Sequence, residues 1–226
     1  MSDEIKHECG LAYIRLRKPF SYYLQQRGSV TYGLNKLYLL MEKQHNRGQD
    51  GAGLATLKLN IEPGNPFLYR LRSNAQQPIA DLFYKIGLEI QELEKFQPEI
   101  TKHPGLMKGH LPFMGEILLG HLRYGTQGKN NVEFCHPFIK RNLVPGKNLA
   151  LAGNFNLVNT DELFKQIQYD PGPFEKQSDL AAMMEVIHHF LVIEETKNPN
   201  FPNIAEVLKQ SVPMFDGGFT IGGLVG

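Results

Sequence analysis

At 226 residues the chain is long enough for one large domain or two small ones, and 42% hydrophobic with 21% charged residues excludes a disordered tail, a collagen-like repeat and a coiled coil. Its 24 lysines and arginines against 23 aspartates and glutamates leave a net charge of +1, so no basic excess exists to bind a phosphate backbone, and nucleic acid is not a favoured partner. No apolar run approaches the roughly 18–20 residues that cross a bilayer, and the mainly acidic start Met1–Glu8 lacks the apolar stretch of a signal peptide, so a cytoplasmic protein without a membrane partner is expected.

Residues 9–16, Cys-Gly-Leu-Ala-Tyr-Ile-Arg-Leu, read as a strand punctuated by Gly10. From Asn35 to His45 the apolar Leu37, Leu40 and Met41 recur at helical spacing. A glycine-rich turn over 46–53 follows, then a strand from Leu54 to Leu59 and a loop at Glu62–Pro66. A second helix is expected to start at Pro78, carrying Ile79, Leu82, Phe83, Ile86, Ile90 and Leu93 on one face. After a Pro/Gly-containing stretch at 98–115, the apolar segments 117–124, 134–139 and 148–155 suggest sheet. Asp179 opens a helix with Leu180, Met183, Met184, Ile187 and Leu191 on one stripe, and residues 215–226 read as a strand still running at Gly226. With no repeat, low-complexity tract or linker, these elements describe one α/β domain, expected to be a piece of a longer protein.

Cysteine is scarce. Cys9 and Cys135 are too few for a disulfide scaffold and are expected as free thiols, Cys135 in the core. Six separated strings then stand in order: Cys9-Gly10; Gln44-His45-Asn46-Arg47-Gly48-Gln49-Asp50-Gly51-Ala52-Gly53; Gly120-His121-Leu122-Arg123-Tyr124-Gly125-Thr126-Gln127-Gly128; His136-Pro137-Phe138; Leu149-Ala150-Leu151-Ala152-Gly153-Asn154-Phe155-Asn156-Leu157; and Ser178-Asp179. In this order they resemble the class II glutamine amidotransferases, which are N-terminal-nucleophile (Ntn) hydrolases, and within them the glutaminase domain of the amidophosphoribosyltransferases. The resemblance covers nearly the whole chain. It implies an α+β fold, a four-layer αββα sandwich of two mainly antiparallel sheets. It also divides the chain into a propeptide at 1–8 and a glutamine amidotransferase domain at 9–226, with the phosphoribosyltransferase domain absent.

The implied chemistry is hydrolysis of the glutamine side-chain amide, with ammonia supplied to a phosphoribosyl pyrophosphate amidotransferase reaction in purine biosynthesis. Cys9 would be the nucleophile, forming a γ-glutamyl thioester that water breaks. Its own α-amine would serve as the base, because an α-amino group titrates near ~7.7–8.0 and is partly neutral at pH 7. That requires cleavage between Glu8 and Cys9, since an amide nitrogen accepts no proton. Arg123 would clamp the glutamine α-carboxylate in a bidentate fork, with Thr126 beside it. Asp179 would bind the ammonium, and Ser178 and Asp179 are both good helix caps. The Asn154 amide and the Phe155 backbone N–H would form the oxyanion hole, where one donor is typically worth ~10²–10³ in rate. Arg47, Gly48, Gly53 and Gly153 would shape the loops around these groups. His45, His121 and His136 read as hydrogen-bonded structural residues, and the adjacent His188 and His189 make a poor metal pair. No metal is expected in this domain, and Mg2+ only in the absent one. The resemblance also implies L-glutamine as ligand, a phosphoribosyltransferase domain as covalent partner, and a homo-oligomer.

The sequence departs from the family pattern in places. The usual His-Asn-Gly-Asn is Gly153-Asn154-Phe155-Asn156 here, which would strain Phe155 if the turn demands a positive φ. Asn46 is inserted between the histidine and arginine of the Gln-His-Arg-Gly string, the Ser/Thr-Glu that usually follows the aspartate is missing after Asp179, and the stretch Asn60–Gly115 is long. These departures leave an alternative reading: an uncleaved, degenerate glutaminase fold acting as a regulatory or interaction module. A third reading attaches the glutaminase to another ammonia acceptor, a sugar-phosphate-aminating or asparagine-forming enzyme.

Overall fold

The structure is a computed structural model, and it describes residues 8–125, 131–173, 178–199 and 201–226. Between Pro137 and Phe138 the chain divides into two compact units. Each is built on its own antiparallel sheet.

The first unit contains β1 (Gly10–Arg15), α1 (Phe20–Arg27), α2 (Tyr32–Lys43), β2 (Gly51–Leu57), β3 (Leu68–Ser73), α3 (Pro78–Phe96), α4 (Pro104–His110) and β4 (Ile117–Arg123). Its strands run in the order β1-β4-β2-β3. Strand alternation sends Ala52, Leu54, Leu118 and Leu122 to one face, where they share a core with Leu37 and Met41 of α2 and with α3. The whole expected stripe of α3, Ile79 to Leu93, packs on that core. The opposite face carries Gly51, Gly53, His121 and Arg123, and the segment 132–137 crosses over it.

That crossing explains where β2 begins. The sequence predicts a turn through Gly53 and a strand from Leu54, yet Gly51 already pairs with β4, and Ala52 and Gly53 pair with both β3 and β4. A Cβ on Gly51 would lie 2.4 Å from Cys135 Sγ, and one on Gly53 would lie 2.0 Å from the His136 carbonyl oxygen. These glycines are a close-approach surface inside a strand, a use that sequence alone does not separate from a turn. Other elements lacked a readable period. In α1 only Phe20 is buried, and α4 lies within the stretch read only as Pro/Gly-containing. Of the segment 134–139, only Phe138 onward is strand, because Val132–Phe134 forms a 3-10 turn.

The second unit contains β5 (Phe138–Lys140), β6 (Leu149–Leu157), α5 (Thr160–Gln166), α6 (Asp179–Lys197), α7 (Ile204–Ser211) and β7 (Gly217–Val225). The sheet order is β5-β6-β7. Leu149, Leu151 and Leu157 of β6 share a core with the α6 stripe Leu180, Met183, Met184, Ile187 and Leu191. Ser178 caps α6, its hydroxyl accepting from the Ala181 N–H at 3.3 Å. Among the described residues no helix is long and apolar enough to cross a membrane.

His188 of α6 meets the Lys147 carbonyl oxygen at 3.1 Å. Burial, reinforced by the charge of Lys140, pushes its imidazole down to about 4 from 6.5. The folded unit therefore holds the ring neutral, whereas the unfolded chain takes up a proton once the pH falls below 6.5. Its contribution is fully present above that value and is lost as the pH falls toward 4. A thermal unfolding series across this window is expected to show a falling melting temperature, and His188→Gln is expected to flatten the slope.

Candidate active site

The start of β1 and the end of β4 lie side by side, with Gly10 opposite Leu122. This register brings Cys9 to Tyr124. The Tyr124 N–H points at Cys9 Sγ from 3.5 Å, and the Tyr124 carbonyl oxygen lies 3.9 Å from the same sulfur. At the end of α2, the Gln44 side-chain amide donates to the Leu11 carbonyl at 3.0 Å and ties the helix to β1 just beyond the cysteine. Arg47 reaches the residue before Cys9 and pairs with the Glu8 carboxylate at 2.8 Å. Gly48 lies on the end of β4, where a Cβ would come within 2.6 Å of the Arg123 carbonyl carbon.

Burial is the largest influence on the Cys9 thiol and pushes its pKa up, and the Glu8 carboxylate adds to the rise. The Tyr124 hydrogen bond and the charges of Arg123 and Arg47 act in the opposite direction. A half-buried thiol thus lies in the field of two guanidinium groups, one of them paired with Glu8.

Arg123 is only 6% exposed. Its guanidinium carbon lies 5.7 Å from the centre of the Phe134 ring, within cation–π range. Burial pushes the Cys135 thiol up as well, while the charges of Arg123 and Arg72 and a hydrogen bond from Arg123 oppose that rise. Arg72 holds the covering segment, donating to the Glu133 carboxylate and carbonyl, both at 2.9 Å. Cys135 is a buried free thiol in the core, as expected, and it lies within reach of the Arg123 charge. His136 and His121 hydrogen-bond to each other at 3.2 Å, and His45 meets the Glu42 carbonyl at 2.8 Å, which accords with the structural reading of all three. Thr126 lies outside the described residues.

The remaining expected site residues belong to the second unit. Val158 N–H bonds to Asp216 beyond the β7 end, whereas Leu157 N–H donates to Asp179 at 3.0 Å. Because N–H groups alternate between strand edges, Phe155 N–H points to the same edge as Leu157 N–H. The partner strand β5 reaches along that edge only as far as Leu151. The Phe155 ring packs on the apolar core, and the backbone φ is not positive. The anticipated strain is therefore absent, since residue 155 lies in a strand rather than a turn. Gly153 is needed for space, because a Cβ there would lie 2.1 Å from the Thr220 carbonyl oxygen and 2.6 Å from the Phe155 ring. Asn154 alternates to the face opposite Phe155. Asp179 is the first residue of α6, and besides Leu157 N–H its carboxylate accepts from the Thr160 hydroxyl at 3.1 Å. Among the described residues no group of three or more His, Cys, Asp or Glu side chains could hold a metal ion.

No family model matches the chain. An amidophosphoribosyltransferase of Methanocaldococcus jannaschii is 28% identical over 202 residues, which cover 89% of this chain and 34% of that protein. One of Staphylococcus epidermidis is 32% identical over 183 residues, covering 81% of this chain and 29% of that protein. The chain is homologous to the amidophosphoribosyltransferases. It spans about a third of the length of the curated relatives it matches, in their N-terminal part. The fold agrees. The glutamine phosphoribosylpyrophosphate amidotransferase structure of Bacillus subtilis, complexed with ADP and GMP, covers 95% of this chain with a TM-score of 0.54 at 23% identity, and the match takes in 35% of that chain. The expectation of an α+β fold with two antiparallel sheets is thus met.

Two residues at this turn carry no signal in the sequence pattern. Asp50 stands inside the glycine-rich string and contacts the Arg123 carbonyl and the Gly125 N–H. Tyr124 follows Arg123 directly, yet it is its backbone, invisible to any pattern of side chains, that meets the thiol.

Proposed function

We propose that this chain hydrolyses the side-chain amide of glutamine to glutamate and ammonia, and that in the full-length protein the ammonia serves a phosphoribosyl pyrophosphate amidotransferase reaction of purine biosynthesis. The observation that carries the reading is the placement of Cys9. In a homologue of amidophosphoribosyltransferases, its thiol lies 3.5 Å from a backbone N–H with Arg123 and Arg47 beside it.

In this scheme the Cys9 sulfur attacks the amide carbon while its proton passes to the freed Cys9 α-amine. That amine then protonates the departing ammonia, and water hydrolyses the thioester to glutamate. Asn154 and the Phe155 N–H take the oxyanion role, and Arg123, Thr126 and Asp179 hold the amino-acid end of the substrate. Every step uses the chain's own groups and water. Cleavage between Glu8 and Cys9 supplies the amine and also removes the Glu8 carboxylate, which raises the thiol pKa and occupies Arg47. Loss of residues 1–8 therefore releases base, thiol and arginine together.

The test is the intact mass of the expressed protein with a glutamate-release assay on the same sample. Loss of Met1–Glu8 with glutamate formation is expected. A chain that keeps these residues and forms no glutamate would return the balance to the interaction-module reading.

A further inference from the structure

We propose that Asp50 is a positioning residue that clips the Arg123–Tyr124–Gly125 turn against the nucleophile. Two hydrogen bonds carry the inference. The Asp50 backbone N–H donates to the Arg123 carbonyl at 3.0 Å. Its carboxylate accepts from the Gly125 N–H at 2.8 Å. One residue thus holds the peptide groups on both sides of Tyr124, whose own N–H and carbonyl face Cys9 Sγ. Gly48, two residues earlier, lies on the Arg123 carbonyl, so the loop from Gly48 to Asp50 braces this turn from one side.

The consequence is chemical as well as structural. Tyr124 N–H is a donor to the sulfur, and a donor favours thiolate over thiol. Tyr124 follows the last residue of β4, so it lies past the sheet ladder that would otherwise fix it. The charged groups acting on the thiol are Glu8, Arg47 and Arg123, and Asp50 is not among them. Its action is therefore geometric: what matters is an acceptor at the right place, not a negative charge. The side-chain carbonyl of asparagine meets that need. Glutamate keeps the charge but displaces the acceptor by one methylene.

This inference rests on the glutaminase reading for its catalytic meaning, but one arm of its test does not. The pH dependence of Cys9 alkylation by iodoacetamide is measured by peptide mass mapping on wild type, Asp50→Asn and Asp50→Glu, with folding checked by thermal unfolding. For Asp50→Glu the alkylation midpoint is expected to rise by about one pH unit, a tenfold loss of thiolate at fixed pH. Asp50→Asn is expected to stay close to wild type. In the glutamate-release arm, Asp50→Glu is expected to lower kcat roughly tenfold with little change in KM, and Asp50→Asn to restore it. Alkylation profiles unchanged in Asp50→Glu, or an Asn variant as impaired as the Glu variant, would overturn the proposal. If wild type releases no more glutamate than Cys9→Ala, the functional reading fails, while the alkylation arm still decides the role of Asp50.

Discussion

Replacing Cys9 by alanine is expected to lower glutamate release by at least about a thousandfold, because the nucleophile of a covalent route has no substitute nearby. The other thiol, Cys135, has no exposed surface and is held with its sulfur toward the Ser73 carbonyl and Arg123. It cannot take over the attack. The binding groups assigned to the substrate's amino-acid end are untouched by the change, so the variant should still bind glutamine. Isothermal titration on Cys9→Ala then separates the two functions: retained affinity with lost turnover is the expected pattern. Turnover within tenfold of wild type would remove Cys9 from the mechanism.

Gly53→Ala is expected to destabilise the first unit by about 3 kcal/mol or more, at the upper end of overpacking costs. The obstruction is the His136 carbonyl oxygen at 2.0 Å from the new Cβ, a backbone atom that cannot rotate away. Relief requires either β2 or the crossing segment 132–137 to move. β2 is paired on both sides, with Gly53 opposite both Arg72 and His121, so the strand has little freedom to shift. The crossing segment should yield, and with it Phe134 and Cys135 at Arg123. The variant should accordingly lose roughly 10 °C in melting temperature, given about 2–4 °C per kcal/mol at this chain length. A change of under 2 °C would show that the segment does not bear on the strand as described.

The parts of the fold that were legible in the sequence are those whose side chains repeat along one face. The stripes of α3 and α6 and the strand around Leu118 could be read because burial of a helix or strand face imposes its period on the sequence. Elements held mainly by their neighbours left no such mark, as α1 and α4 illustrate with a single buried side chain apiece that could anchor a period, Phe20 and Met107. Phe155 shows the reverse error. Its departure from the familiar string suggested strain, yet in a strand the ring simply turns into the core and the backbone keeps ordinary angles.

Length, neutral charge and the scarcity of cysteine, together with the order of six short strings, single out Cys9 as the candidate nucleophile and point to the chemistry proposed for it. Those features are linear, and a chain carries them without folding. What only the tertiary structure decided is how the thiol is held: by a backbone N–H from Tyr124, by a turn whose peptide groups before and after Tyr124 bond to Asp50, and by the charges of two arginines of which one is occupied by Glu8. Backbone donors and the space left by a missing Cβ have no letter in the sequence. They exist only once strands far apart in the chain lie in register, and here it is the pairing of β1 with β4 that creates them.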